Sequence, residues 1–156
     1  AHECILDFRD LKSKTGLSVN DLAKRLIDYS FHAPTISWPV PETIMIEPTE
    51  SESLVELDRF CEAMLLIGEE ISEIEKNIEL KNNNVISNAP HTLKELIADN
   101  WHYPYSKEKA SFPYKTPTSI KFWSSVSRIN NAYGDRNLIC SCNVNQGETF
   151  EEKKCA

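Results

Sequence analysis

Asp28-Tyr29-Ser30-Phe31-His32-Ala33-Pro34-Thr35-Ile36-Ser37-Trp38-Pro39-Val40 ends one kind of structure and prepares another. With Pro41 it holds three prolines over residues 31–41. Proline has a fixed φ and no N–H, so it sits neither inside a helix nor in the middle of a sheet. The stretch therefore reads as an ordered loop or a sheet edge. On its N-terminal side, Val19, Leu22, Ala23 and Leu26 recur at helical spacing. Ser18-x-x-Asp21 supplies an N-cap and puts an acid in the first turn, where the helix dipole favours it. A short amphipathic helix is predicted from there to about Tyr29. On the other side, Ile44, Met45 and Ile46 mark a short strand over residues 43–47. Helix, proline loop and strand in succession point to an α+β domain.

The same pattern continues outward. Residues 2–8 alternate like a strand, with Cys4, Leu6 and Phe8 on one face and Ile5 opposite. Thr49-Glu50-Ser51-Glu52 has the form of a capping box before the longest helix, predicted to run to about Asn77. Its apolar stripe is read as Leu54, Leu57, Phe60, Cys61, Met64, Leu65, Ile71, Ile74 and Ile78. The opposite face carries Glu56, Asp58, Glu62, Glu69, Glu70, Glu73 and Glu75, and reads as a solvated face. Asn82, Asn83 and Asn84 form a loop, and Thr92-x-x-Glu95 caps a shorter helix through about Ala98. From Trp101 to Trp123 the chain is aromatic and proline-punctuated, as expected of a segment that packs over a surface. Tyr133-Gly134-Asp135-Arg136-Asn137 reads as a turn before a short strand at residues 138–140. A single domain over residues 1–142 and a flexible tail over 143–156 are expected.

The composition excludes several classes. The chain has 156 residues, 40% hydrophobic and 26% charged, enough for one packed core. Its net charge of -7 argues against non-specific nucleic-acid binding, which depends on Lys and Arg neutralising phosphates. No apolar run approaches the roughly 20 residues of a membrane span. The opening residues have no basic patch followed by an apolar stretch, so no signal peptide is read there. Without an initiator Met, the chain is expected to be a processed product or a fragment cut at a structural element. Five cysteines, an odd count, fit reduced thiols. Cys140 and Cys142 form the one close pair, too little for a zinc site, and no metal is assigned.

Chemistry-bearing motifs are sparse. Four scattered glycines build no phosphate-cradling loop, and neither a G-x-S-x-G elbow nor an H-E-x-x-H pair is present. His2, His91 and His102 read as structural. His32 is different, because prolines lower the entropy of holding it in place on a loop, where binding and catalytic contacts concentrate. Arg128 offers a fork suited to a carboxylate, although an internal ion pair is the commoner explanation of such a residue.

The proline stretch, continued through Met45-Ile46-Glu47-Pro48-Thr49-Glu50-Ser51-Glu52 and Glu56-Leu57-Asp58-Arg59-Phe60-Cys61, closely resembles the C-terminal part of one enzyme family. That family is the glycine cleavage system P-protein, the decarboxylating glycine dehydrogenase. The resemblance persists through Asn88-Ala89-Pro90-His91, residues 101–105, Lys121-Phe122-Trp123 and Tyr133-Gly134-Asp135-Arg136-Asn137-Leu138, covering residues 2 to about 142.

The resemblance implies the small C-terminal domain of a fold-type-I pyridoxal phosphate (PLP) enzyme, aminotransferase-like in architecture. Such an enzyme decarboxylates glycine on PLP and passes the aminomethyl group to the lipoyl arm of the H-protein. Its Schiff-base lysine follows a histidine, and no His-Lys pair occurs in this sequence. No catalytic or cofactor-binding residue is therefore assigned, PLP is expected to be bound mainly by the upstream domain, and the segment is expected to be inactive alone. His32 and Thr35 transfer as residues lining the substrate cleft, and Arg128 is added for its chemistry. The implied partners are the upstream PLP-binding domain, the lipoylated H-protein and a second P-protein subunit, with no nucleic acid or membrane. The compartment is the mitochondrial matrix if the source is eukaryotic and the cytoplasm if it is bacterial. The alternative is a non-catalytic interaction module built on the same small domain and docking through the acid-rich helix.

Overall fold

A computed structural model describes residues 2–77, 81–114 and 121–139. In chain order the elements are β1 (Cys4–Asp7), α1 (Leu11–Thr15), α2 (Val19–Asp28), β2 (Thr35–Ile36), β3 (Thr43–Ile46), α3 (Leu54–Lys76), α4 (Leu93–Ile97), α5 (Lys107–Ser111) and α6 (Asn131–Arg136). The strands form one antiparallel sheet in the order β1-β3-β2. Cys4 lies opposite Ile46 and Asp7 opposite Thr43, while Thr35 and Ile36 face Met45 and Ile44. The α+β class read from the sequence holds, and the proline stretch supplies an edge strand.

Centrality decides burial. β3, paired on both sides, buries Thr43 and Ile44, whereas all four residues of β1 are exposed. The face assigned to Cys4 and Leu6 is thus solvent-facing, and Phe8 alone of that trio packs against the core. The core lies among Leu22 and Leu26 of α2, Ala63, Ile67 and Ile74 of α3, Ile44, and the Val85-Ile86 turn. Asn84 holds that turn, its Oδ1 accepting from the N–H groups of Ile86 at 3.0 Å and Ser87 at 2.8 Å.

Ser18 caps α2 as expected, with its N–H donating to Asp21 Oδ2 at 2.7 Å. Glu42, from the turn before β3, accepts the Val19 N–H at 3.0 Å and so ties the sheet to the same helix start.

Several expectations are corrected. α3 starts at Ser53-x-x-Glu56 instead of the Thr49 box: Ser53 accepts the Glu56 N–H at 3.2 Å, while Thr49 Oγ1 bonds Ser51 Oγ at 2.7 Å. The buried positions of α3 are Ala63, Ile67, Glu70 and Ile74, spaced by three or four, and Leu54, Cys61 and Leu65 are exposed. Ile78 lies outside the described residues. The acid face is not uniformly solvated, since Glu70 is buried, Glu73 pairs with Lys109 and Glu56 with Arg59. Residues 131–136 are helical instead of a turn, and Leu138 and Ile139 are exposed and irregular, so the strand expected there is absent over those two residues. Cys140, Cys142 and the tail 143–156 lie outside the described residues. Among the described residues no helix is long and apolar enough to cross a membrane.

Candidate functional site

The chain leaves α2 through Tyr29 and Ser30, and Ser30 takes a left-handed φ of 65°. Phe31 returns its N–H to Leu26 O at 3.0 Å. The Phe31 ring meets Phe60 edge-on with centroids 5.2 Å apart, and the Arg59 guanidinium lies 3.7 Å from its centroid. At the far end Thr35 and Ile36 join the sheet, and Ser37, with a φ of 56°, donates to Thr43 O at 2.7 Å. His32, Ala33 and Pro34 thus form a short arch between two anchors. His32 and Thr35 are exposed, and Ala33 and Pro34 are half-buried. Left-handed backbone at a non-glycine residue costs on the order of 1 kcal/mol and persists where the surroundings over-determine it, commonly at functional loops. Here it brackets the arch on both sides.

The C-terminal part of α2 carries a buried ionic network. Arg25 is fully buried and donates to Glu70 twice, Nη2 to Oε1 at 2.6 Å and Nε to Oε2 at 3.0 Å. It also reaches Asp28 Oδ2 and the Lys109 and Ala110 carbonyl oxygens, each at 2.8 Å. Burial opposes its charge, but the carboxylates of Glu70 and Asp28 outweigh burial and hold the guanidinium protonated above its ordinary range. Asp28 accepts the His91 N–H at 2.7 Å, and His91 Nδ1 lies 2.8 Å from Asp28 Oδ2. A carboxylate only accepts, so Nδ1 carries the hydrogen and Nε2 faces the Tyr105 hydroxyl at 2.9 Å, which can donate to it.

Around His91 pack Trp101, Tyr103 and Tyr105, with the two tyrosine rings stacked 5.3 Å apart. The first rings of the aromatic segment therefore close over this chain's own histidine. Burial and the nearby Glu95 carboxylate push the Tyr103 hydroxyl up to about 12.

Two cations meet the carbonyl end of α2. Arg59 Nη1 donates to Tyr29 O at 3.0 Å, and Lys121 Nζ donates to Asp28 O. Burial lowers the Lys121 ammonium to about 8, against the pull of Asp28 and with the help of Arg25. Next to it, the Phe122 N–H donates to Ser30 Oγ at 2.9 Å.

The other sequence candidates are dispersed. Arg128 is half-buried, ion-paired with Asp21, and donates to Ala89 O at 3.3 Å. Its fork is occupied within the chain by Asp21 and the Ala89 carbonyl. His2 and His102 are exposed, whereas His91 is the buried structural histidine just described. His2, Glu3 and Glu47 bring ligand atoms within 4.8 Å of one another, all three residues exposed. Sequence reasoning missed Arg25, Asp28, Glu70 and Tyr105. The available signal was a charge inside an apolar repeat: Arg25 beside Leu22 and Leu26, and Glu70 between Ile67 and Ile74.

The described residues do not fit PLP. No glycine-rich turn cradles a phosphate among them, and the half-buried Lys121 Nζ is engaged by Asp28 O. The molecule is thus an α+β domain with a polar loop anchored at both ends and a separate buried ionic network, without a complete catalytic apparatus of its own among the described residues.

Comparison with known proteins narrows this class. The family model described as the glycine dehydrogenase C-terminal domain matches residues 1–91, which span the sheet, the arch, α3 and the network as far as His91. The chain belongs to that family. It is 62% identical over 142 residues to the glycine dehydrogenase (decarboxylating) of Prochlorococcus marinus, covering 91% of this chain and 15% of that protein. It is 57% identical over 144 residues to the protein of the same name from Thermosynechococcus vestitus, 92% of this chain and 15% of that one. The mitochondrial glycine dehydrogenase (decarboxylating) of Dictyostelium discoideum is 57% identical over 142 residues, 91% of this chain and 14% of its own length. The chain spans about 15% of the length of the curated relatives it matches.

Proposed function

We propose that this chain is the small C-terminal domain of a decarboxylating glycine dehydrogenase, a fold-type-I PLP enzyme, and that it completes a substrate cleft whose cofactor side lies in the upstream domain. The observation that carries the reading is the exposed arch at His32, held between two left-handed serines, Ser30 and Ser37. A loop so constrained is suited to contact another domain's substrate at low entropic cost. PLP, held by the upstream domain, supplies the electron sink for loss of carbon dioxide from glycine. On this side His32 and Thr35 offer an imidazole and a hydroxyl to the cleft. Arg128, already neutralised by Asp21, contributes as a lining residue and not as a free carboxylate clamp. The aminomethyl group then passes to the lipoylated H-protein, and a second P-protein subunit completes the assembly. In a eukaryotic source the enzyme would work in the mitochondrial matrix, in a bacterial one in the cytoplasm. The segment alone, without a His-Lys pair, is inactive in this reading.

The test is His32→Ala in the full-length enzyme, assayed by glycine–bicarbonate exchange with H-protein. A proton-handling or substrate-orienting histidine predicts a loss of roughly 100-fold. The melting temperature should stay in place, since the side chain is exposed. Exchange at the parent rate would remove the arch from the site.

A further inference from the structure

Resting on that reading, we propose that Arg59 is a positioning residue for His32, setting the arch from the first turns of α3. Arg59 itself is nearly enclosed, with a side-chain exposure of 14%. Three contacts define what it does. Its Nε donates to Glu56 Oε2 at 2.9 Å and its Nη2 to Glu56 Oε1, a forked pairing that fixes the plane of the guanidinium. Glu56 responds as such a partner should: hydrogen bonding from Arg59 holds its carboxyl below the usual range. The remaining nitrogen, Nη1, donates to Tyr29 O at 3.0 Å, at the C-terminal end of α2, where the dipole favours a cation. The guanidinium plane then covers the Phe31 ring at 3.7 Å, and Phe60 closes on that ring edge-on.

One side chain therefore grips the carbonyl of Tyr29 and the ring of Phe31, on either side of the left-handed Ser30 and immediately before His32. Lysine cannot reproduce this grip, since an ammonium has neither the fork nor the plane. The far end of the arch is held independently by the pairing of Thr35 with Met45. Releasing Arg59 thus frees one end only, which should shift His32 without dissolving the sheet.

The experiment uses the full-length enzyme with Arg59→Met, Arg59→Lys, His32→Ala and the double variant Arg59→Met/His32→Ala. Hydrogen exchange read by mass spectrometry follows the peptide over residues 30–36, and glycine–bicarbonate exchange gives kcat and KM. Arg59→Met should speed amide exchange in that peptide while leaving β1 unchanged. It should lower kcat by roughly 10- to 100-fold, as displacement of a reacting group does. Arg59→Lys, the milder change if Met disturbs folding, should fall between Met and the parent on both readouts. In the His32→Ala background, Arg59→Met should cost nothing further, because its effect runs through a residue already removed. Unchanged amide exchange in both single Arg59 variants would overturn the anchoring. Losses that simply multiply in the double variant would overturn the link to His32 and leave a general structural role. A His32→Ala enzyme with parental activity, combined with faster exchange at 30–36 in Arg59→Met, would sink the function proposed for the arch while upholding Arg59 as its anchor.

Discussion

Glu70 is one carboxylate among seven acids read along a single helix, yet its surroundings separate it from the others. It is buried, accepts two bonds from Arg25, and lies 3.4 Å from the Tyr29 hydroxyl. Burial and the adjacent Glu70 charge both keep that hydroxyl protonated well above its ordinary range. Glu70→Gln preserves the shape but leaves Arg25 with Asp28 as its one charged partner. Removing one member of a buried pair costs about 3–5 kcal/mol, because the other charge stays desolvated. Urea titration of the variant should show that loss at pH 7; a change below about 1 kcal/mol would mean that water reaches Arg25 after all. Exchanging both partners for apolar residues should cost less than the single change. The pair was legible in the sequence, with Arg25 three residues after Leu22 and Glu70 three after Ile67, each on the face its helix buries. Reading Glu70 by the sign of its neighbours instead of by its place in the repeat hid it.

At the scale of elements, legibility followed length and capping. α2, β3 and α3 are long enough, or flanked clearly enough, to display their period, and all three were expected close to where they lie. α1, α5 and α6 have five or six residues, too few for an apolar repeat to return to one face. They stand on local bonds instead: Ser106 accepts the Lys109 N–H at 3.1 Å, and Asn130 the Tyr133 N–H at 3.0 Å. α4 is as short and was found because its capping box is explicit. Thr92 accepts the Glu95 N–H at 3.2 Å, and Glu95 Oε2 accepts from the Thr92 N–H and hydroxyl, each at 2.8 Å. Burial would raise the Glu95 carboxyl, but these bonds and one from the Tyr103 hydroxyl outweigh it and hold the group below its usual range. A depressed carboxyl contributes stability above its unfolded value, near 4.5, and loses it as the pH falls through the folded value. Thr92→Ala should therefore cost about 1 kcal/mol at pH 7. That cost should shrink as Glu95 becomes protonated. Denaturation midpoints at pH 7 and pH 3 test this, and an equal cost at both would place the effect in Thr92 alone.

At the scale of the whole molecule the α+β class was legible, because helix, proline loop and strand follow one another over residues 19–46, but which apolar side chains stay exposed was not. Exposed apolar side chains are spread along the chain, and a run of them lies at the end of the described residues, from Phe122 onward. Trp101, Tyr103 and Tyr105 are half-buried over His91, whereas Phe122, Val126, Ile129, Tyr133, Leu138 and Ile139 are exposed. α6 buries no residue, and a six-residue helix without a packed face has little to hold it in water. On the first turn of α3, Leu54 and Val55 are likewise more than 70% exposed. Apolar side chains exposed in such number mark surfaces that another body covers. In the proposed reading that body is the upstream domain of the same enzyme. The chain produced alone should then bind a hydrophobic dye, elute larger than a monomer, and be cleaved by trypsin after Arg136 early in a time course. Co-expression with the upstream portion should suppress all three. If the isolated chain runs as a monomer and α6 resists trypsin, these apolar residues are covered from within and the upstream domain docks elsewhere.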